Sequence, residues 1–412
     1  MSRVLLLLSR NSYRAEAFVS AARGLGVDVT VGSNHRQALA DLTPGGALTL
    51  GVGDVDRSVS TIVRFAADDP LAAIVAAEDD FALVAAAASE ALGLRHHPVE
   101  AVRAARNKAV MRRRLEAAGF PSPWFDVASV EDDAEAAGAR APYPCVLKPL
   151  ALSASRGVIR ADTPEEFGRA WTRIREILKQ PDAVTRSGHG MAEILIEAYM
   201  PGREVAVEGI VVGGELRTLA LLDKPDPMVG PFFEETILVT PSRLSESVQR
   251  EIVSSVQRSV AILRLDDGPV HAELRVDGER ASLLEVAPRS IGGRCSTILR
   301  FEPEATLEEL ILRHALGMSI DEYSRAPGAD GVMMLPIPEA GVLREVGGSD
   351  AALEISGITG LDLTIPVGQR VVPLPEGNRY LGFLFARAAT PEQVETALRA
   401  AHARLDVRIE PS

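Results

Sequence analysis

Between Val270 and Gly293 the chain places two glutamates, Glu273 and Glu285, on what reads as a β-hairpin. His271 to Val276 alternates, Asp277-Gly278 is a two-residue turn signal, and Ser282 to Val286 is a second apolar run. Pairing the two runs brings both carboxylates to neighbouring positions at one end of a sheet, with Arg289 four residues further on. Acids held that close raise each other's pKa unless a cation sits between them. A hard divalent ion such as Mg²⁺ fits, because it takes oxygen ligands from one or two carboxylates and leaves room for water and substrate phosphates. The plainer alternative makes both glutamates solvated strand residues and Arg289 their surface partner.

Two lysines stand upstream. Lys108 follows Asn107 at the start of a helix that runs to about Ala118, where Gly119, Pro121 and Pro123 stop it. Lys148 ends the apolar strand Cys145-Val146-Leu147-Lys148-Pro149. Ala151 to Val158 comes next, a run of small residues whose N–H groups and hydroxyls suit phosphate oxygens. It is not a Walker A loop, for no G-x-x-x-x-G-K-[ST] occurs in the chain. Ile194 to Met200 is an apolar strand interrupted by Glu197, and Pro201-Gly202 turns it into Arg203 to Val212. Backbone groups at such a strand end suit a flat heterocycle, and Glu204 would accept from ribose hydroxyls.

The elements that must hold these residues alternate at first. Val4 to Leu8, Val27 to Val31, Ala47 to Leu50 and Ala73 to Ala76 read as strands, with helices over Tyr13 to Leu25, Val55 to Ala67 and Asp79 to Leu92. That pattern means a small open parallel sheet. Gly51-Val52-Gly53 lacks the remaining glycine of a dinucleotide fingerprint and reads as a turn. Thr163-Pro164-Glu165-Glu166 opens a helix to about Lys179, and Pro181 to Gly190, with His189, reads as a flexible loop. Lys224 to Thr240 is a Pro-rich loop leading into a strand. Ser245 caps a helix whose apolar residues recur at 3.6 spacing, and Thr306 opens another. Beyond Met318 the texture changes to strands at Gly331 to Pro336, Gly341 to Val346, Leu361 to Ile365 and Leu381 to Ala386, then a helix capped by Thr390 and a last strand to Ile409.

A chain of 412 residues suggests two or three domains, and the balance of 25% charged to 46% hydrophobic residues is that of a globular protein. A net charge of -13 argues against nucleic acid or an anionic membrane as partner. Cys145 and Cys295 have no second ligand at metal spacing and read as buried free thiols. The opening MSRVLLLLSR is too short for a signal-peptide core, and no run is long enough to span a bilayer. The expectation is a cytoplasmic protein.

The order of features is more specific than any one of them. An Asn-Lys helix, a strand ending Leu-Lys-Pro, a small-residue loop ending Gly-Val, Ile-Glu-x-x-Met-Pro-Gly-x-Glu, and a two-glutamate hairpin with Glu-x-x-x-Arg follow one another. Over nearly the whole chain this resembles the ATP-grasp superfamily of carboxylate-amine ligases. Within it the chain looks most like the dipeptide-forming L-amino-acid ligases. Three features suggest it: Ala287, where many members place a metal-binding asparagine, the Gly-Pro-Phe-Phe-Glu-Glu segment, and the strand-rich C-terminal part.

The resemblance implies a mixed α/β and α+β fold. Its N-terminal open parallel α/β domain would span residues 1–95 and its nucleotide-binding domain 96–320, the latter with a small subdomain at 122–200. An α+β domain would take 321–412. It implies that Lys108 and Lys148 contact the α- and β-phosphates of ATP, and that Ser153, Ser155 and Gly157 lie in a lid over the phosphates. Ala198 and Met200 would read adenine through their backbone beside Glu197, Glu204 would bind ribose, and Glu273 and Glu285 would hold Mg²⁺, or Mn²⁺ in its place. Catalysis would fall to Arg289, Lys148 and His271, making an amide through an acyl phosphate and releasing ADP and phosphate. Partners would be a small carboxylate and an amine, with a homodimer as the usual assembly among relatives. The competing readings are an ATP-grasp carboxylase or formyl- or carboxyl-phosphate enzyme, and a non-catalytic ATP-binding regulator.

Overall fold

The computed structural model describes residues 2–9, 12–35, 46–150, 152–181, 183–184 and 192–411. Most of the Pro181 to Gly190 segment, His189 included, and Ala151 at the start of the small-residue loop lie outside the described residues.

Strands β1 (Arg3–Leu8), β2 (Asp28–Ser33), β3 (Ala47–Thr49) and β4 (Ala73–Ala76) form a parallel sheet in the order β3-β2-β1-β4. The unbroken apolar run of β1 reflects burial on both faces. Val4, Leu6 and Leu8 point into one core, and Leu5 and Leu7 into another. The carboxyl ends of β1 and β4 deliver Ser9 and Glu78 to Asp80 to the cavity described below.

A second, antiparallel sheet contains β5 (Phe125–Ser129), β6 (Cys145–Pro149), β7 (Ile159–Ala161) and β8 (Glu193–Ala198), in the order β5-β8-β6-β7. The helix Pro164–Leu178 covers it with Phe167, Ala170, Trp171, Ile174, Ile177 and Leu178, one face at helical spacing. Its start is as expected, with the Thr163 hydroxyl accepting from the Glu166 N–H at 3.3 Å.

The rest is organised by one long sheet. From the central region come β9 (Arg203–Val212), β10 (Glu215–Asp223), β11 (Ile237–Thr240), β12 (Gly268–Asp277) and β13 (Arg280–Ala287). A small sheet of β14 (Arg300–Glu302), β15 (Ala305–Thr306) and β16 (Ser324–Arg325) follows, then β17 (Ala329–Leu335), β18 (Gly341–Gly347), β19 (Ile358–Leu363), β20 (Arg370–Val371), β21 (Gly382–Ala388) and β22 (Asp406–Glu410). The long sheet has eight strands in the order β13-β12-β9-β10-β11-β17-β21-β19, so strands from both sides of residue 320 share it. Along β9, Ala206 and Ile210 face a core that also holds Val4, Ile311 and Phe383. Val205, Val207 and Val211 face the helix Glu246–Leu263 through Ile252, Val256 and Val260. Ser245 stands at that helix's N-terminus, but its hydroxyl meets Ser247 Oγ at 3.0 Å and caps no backbone N–H.

Candidate active site

Glu273 and Glu285 are directly opposite each other on β12 and β13, by a route the sequence does not spell out. The closing pair is Asp277 with Arg280, so the loop is Gly278-Glu279 rather than Asp277-Gly278, and Gly278 takes its left-handed position at φ 60°. Regular pairing from there would set Leu284 against Glu273. A β-bulge after Leu283 adds one residue and moves Glu285 into register. Two carbonyls beside the bulge, those of Leu283 and Leu284, accept from Arg112 Nη1 and Nη2, each at 2.9 Å. Arg112 is fully buried on the helix Lys108–Ala117, and its Nε binds Glu197. One guanidinium thus ties the bulge to the second sheet.

Glu197 also pairs with Lys148, so one carboxylate is shared by two cations. Burial alone would raise the Glu197 pKa, but Arg112 and Lys148 together hold it down to about 2. Lys148 has the opposite problem. Burial, with Arg112 and Lys108 nearby, pulls its pKa below the ordinary lysine value despite Glu197. Lys108 adds a third cation, donating to the Leu152 carbonyl at 3.0 Å and standing 3.5 Å from Glu285. The Asn107 side chain caps this helix by accepting from the N–H groups of Ala109 and Val110. This end of the site is short of negative charge and suited to an anion.

The other end is short of positive charge. Lys224 Nζ lies 2.6 Å from Glu204, binds Glu235, and is 3.3 Å from Glu273. Oxygens of those three glutamates come within 4.8 Å of one another. Arg275 supports Glu204 at 3.1 Å, and His271 bridges Glu208 at 3.0 Å and Glu273 at 3.4 Å. Burial and the Glu273 and Glu204 charges push Glu235 up to about 7 even with Lys224 beside it. Glu273 is held well below the carboxylate range, because Lys224 and His271 outweigh its burial. Burial opposes charge on His271 too, but the bonds to Glu208 and Glu273 raise its pKa to about 9. An all-oxygen donor set fits a hard divalent cation; of the pair expected to hold one, Glu273 belongs to this cluster, while Glu285 stands opposite it on β13 beside Lys108.

Both ends open on one cavity of about 310 Å³. Among the residues expected from sequence, Lys108, Lys148, Ser153, Ser155, Glu197, Ala198, Met200, Glu204, His271, Glu273, Glu285 and Arg289 line it. Gly157 does not. Its N–H donates to the Pro375 carbonyl at 3.0 Å. Both His271 ring nitrogens lie against carboxylates, Nδ1 at 3.0 Å from Glu208 and Nε2 at 3.4 Å from Glu273, so the ring braces Glu273. Glu204 is already held by Lys224 and Arg275. Ala198 N–H goes to Trp124 O and Tyr199 N–H to Pro144 O, while Met200 N–H has no partner among the described residues. Arg289 is braced by Asp79 at 2.7 Å, which together with Glu285 overcomes burial and raises its pKa.

Sequence reading missed Lys224, Glu235, Arg112, Glu208 and Asp79. The signals present were a lysine set against Pro225 and the doubled Glu234-Glu235. Neither says which acids would surround that lysine. At the far end, Ile291, Cys295, Met334, Tyr380 and Phe383 make an apolar wall, with Glu78 beside it accepting from Ser9 N–H at 3.1 Å and from the Ser12 hydroxyl. Cys145 and Cys295 are free and buried, as expected. Among the described residues no helix is long and apolar enough to cross a membrane.

Comparison with known proteins finds related domains along the chain. Family models described as ATP-grasp N-terminal domain, ATP-grasp domain, and L-amino acid ligase C-terminal domain 2 match residues 19–96, 141–298 and 333–410. The chain is 23% identical over its whole length to an uncharacterized protein of Sinorhizobium fredii, covering 84% of it. Alanine--anticapsin ligase of Bacillus amyloliquefaciens is 32% identical over 58% of this chain, and the match spans about half (52%) of that ligase's length. The crystal structure of an L-amino acid ligase from Bacillus licheniformis has the same fold, with a TM-score of 0.83 at 22% identity, covering 100% of this chain and 99% of that one. The chain carries an ATP-grasp domain, preceded by an ATP-grasp N-terminal domain and followed by a C-terminal domain of the L-amino acid ligase type.

Proposed function

We propose that the protein is an ATP-dependent ligase that joins the carboxylate of an amino acid to an amine, releasing ADP and phosphate. The observation that carries this reading is the cavity's arrangement: a cationic end at Lys108 and Lys148, an acidic pair at Glu273 and Glu285, and an apolar wall to which the C-terminal region contributes Met334, Tyr380 and Phe383. The L-amino acid ligase type of that C-terminal region favours an amino acid over bicarbonate or formate.

A carboxylate is a poor electrophile, and ATP makes it a good one. A carboxylate oxygen attacks the γ-phosphorus, the bond to the bridging oxygen breaks and ADP leaves. The amine nitrogen then attacks the acyl carbon, phosphate departs, and the nitrogen loses its proton to form the amide. For the first step a protein positions the reactants and neutralises charge. Lys108 and Lys148 would hold the phosphates, with Glu197 and Arg112 fixing where Lys148 stands. Ser153 and Ser155 would cover them, and Met200 N–H is available to an adenine edge. Glu273 and Glu285 would hold Mg²⁺, which when bound supplies countercharge to the triphosphate. Arg289, oriented by Asp79, would meet the charge that develops on the transferring group. Glu78, which accepts from Ser9 N–H and the Ser12 hydroxyl at the edge of the cavity, suits the ammonium of an amino acid.

The test is incubation with ATP, Mg²⁺ and pooled L-amino acids, followed by mass spectrometry. New masses equal to two amino acids less one water, with equal amounts of ADP, are expected. Brisk turnover with bicarbonate alone and no condensation product would overturn the reading.

A further inference from the structure

The loop from Leu152 to Val158 has two faces. Leu152 to Ser155 and Val158 look into the cavity, while the intervening Arg156 and Gly157 are fastened from outside. Gly157 N–H donates to the Pro375 carbonyl at 3.0 Å, and Arg156 Nε donates to the Glu376 carbonyl at 3.0 Å. The Glu376 carboxylate takes Arg173 of the helix Pro164–Leu178 in a two-pronged pair, with Nη2 at 2.8 Å. Gly377 N–H closes the turn on the Pro373 carbonyl at 2.8 Å. A strap of the C-terminal region therefore grips both the phosphate loop and the helix of the same subdomain.

The strap also leads into the substrate end of the cavity. Four residues after Glu376 comes Tyr380, and then Phe383 on β21, both part of the apolar wall. Their rings pack edge to face with centroids 6.2 Å apart. Arg173 has a second hold, its guanidinium 4.7 Å from the centre of the Phe232 ring, whose neighbour Phe233 lines the cavity. Whatever presses on Tyr380 and Phe383 acts on the segment that fastens the loop.

We propose that Glu376 and Arg173 are positioning residues that latch the Ser153 to Gly157 loop over the phosphates, and that a substrate side chain against Tyr380 and Phe383 sets the latch. This rests on the ligase reading above. An acyl phosphate exposed to water is hydrolysed, giving back the carboxylate and inorganic phosphate, so a loose loop would uncouple ATP use from amide formation.

Two readouts test this. Amide hydrogen exchange over residues 152–158, in the protein alone and with ATP, Mg²⁺ and amino acids, reads the Gly157 bond directly. Phosphate released per condensation product reads the leak. Glu376→Ala should speed exchange and raise the phosphate ratio, each by about two- to fivefold, as befits a partly exposed ion pair, with KM for ATP rising more than kcat falls. The exchanged pair Glu376→Arg with Arg173→Glu should restore both. Unchanged exchange in Glu376→Ala, or an exchanged pair as leaky as the single variant, would overturn the latch. A wild-type protein that makes no condensation product would instead defeat the ligase reading, while exchange in Glu376→Ala would still decide the latch.

Discussion

Around Glu197, two cations, Arg112 and Lys148, share one carboxylate, whereas around Lys224 three carboxylates share one ammonium. Both groups are buried, and burial makes charge costly in each. They resolve the cost in opposite senses: at the first, Glu197 is driven down to about 2 and Lys148 below its ordinary value; at the second, Glu235 climbs to about 7 and Lys224 well above. A protein stabilised by its own contacts alone has no reason to leave opposite surpluses in one cavity. A bound triphosphate and a divalent cation would satisfy both at once.

Removing Lys224 should do the most damage. Lys224→Met leaves buried acids without their shared cation and should cost about 3–5 kcal/mol of stability, the usual effect of breaking a buried pair. Thermal melts should show part of that loss recovered by millimolar Mn²⁺, and no recovery would mean that the acidic end does not select a cation. Next come Lys148→Ala at the cationic end and Glu285→Gln on the opposed pair, each expected to lower ATP turnover by about 10²- to 10³-fold, or about 2.7–4 kcal/mol of transition-state stabilisation. Phosphate release near the wild-type rate in either would break the assignment of the two ends.

The third effect depends on pH. The folded His271 pKa of about 9 lies above the unfolded value, so its contribution is complete below about pH 6.5 and lost as pH rises through 9. The two values imply a loss of about 3 kcal/mol between those limits. Urea melts from pH 6 to 10 should show that decline, and His271→Asn should flatten it. An effect of the opposite sign is expected for Glu235→Gln. This carboxyl is the surplus acid: its folded pKa of about 7 lies above the unfolded value, so its ionisation costs stability as pH rises from about 4.5 to 7 and no more above that, and the variant should gain on the wild type across that window. A large loss would mean that the acidic end is balanced as it stands.

Local rules carried much of this into the sequence. Thr163, Thr306 and Thr390 cap where the spacing places them, and the continuous apolar run of β1 reads correctly as a strand. Lys108, Lys148, Glu273, Glu285 and Arg289 were legible as neighbours in one cavity because each lies in, or directly after, an element whose pattern announces it. What escaped depends on contacts between distant segments. The bulge that sets Glu285 opposite Glu273 is held by Arg112 from another element, and no period-two pattern encodes it. The acids around Lys224 come from three separate strands or loops, so their surplus appears only once β9, β12 and the Pro-rich loop meet. A change of texture near residue 320 suggested a boundary, yet the long sheet runs across it because β17 pairs with β11.

Mn²⁺ electron paramagnetic resonance during an ATP titration asks the central question most directly. Wild-type protein should immobilise Mn²⁺ together with ATP, the Glu273→Gln, Glu285→Gln double variant should bind nucleotide without immobilising the metal, and Lys148→Ala should weaken nucleotide and metal together. An unchanged Mn²⁺ spectrum and affinity in the double variant would contradict the division of the cavity into a phosphate end and a cation end.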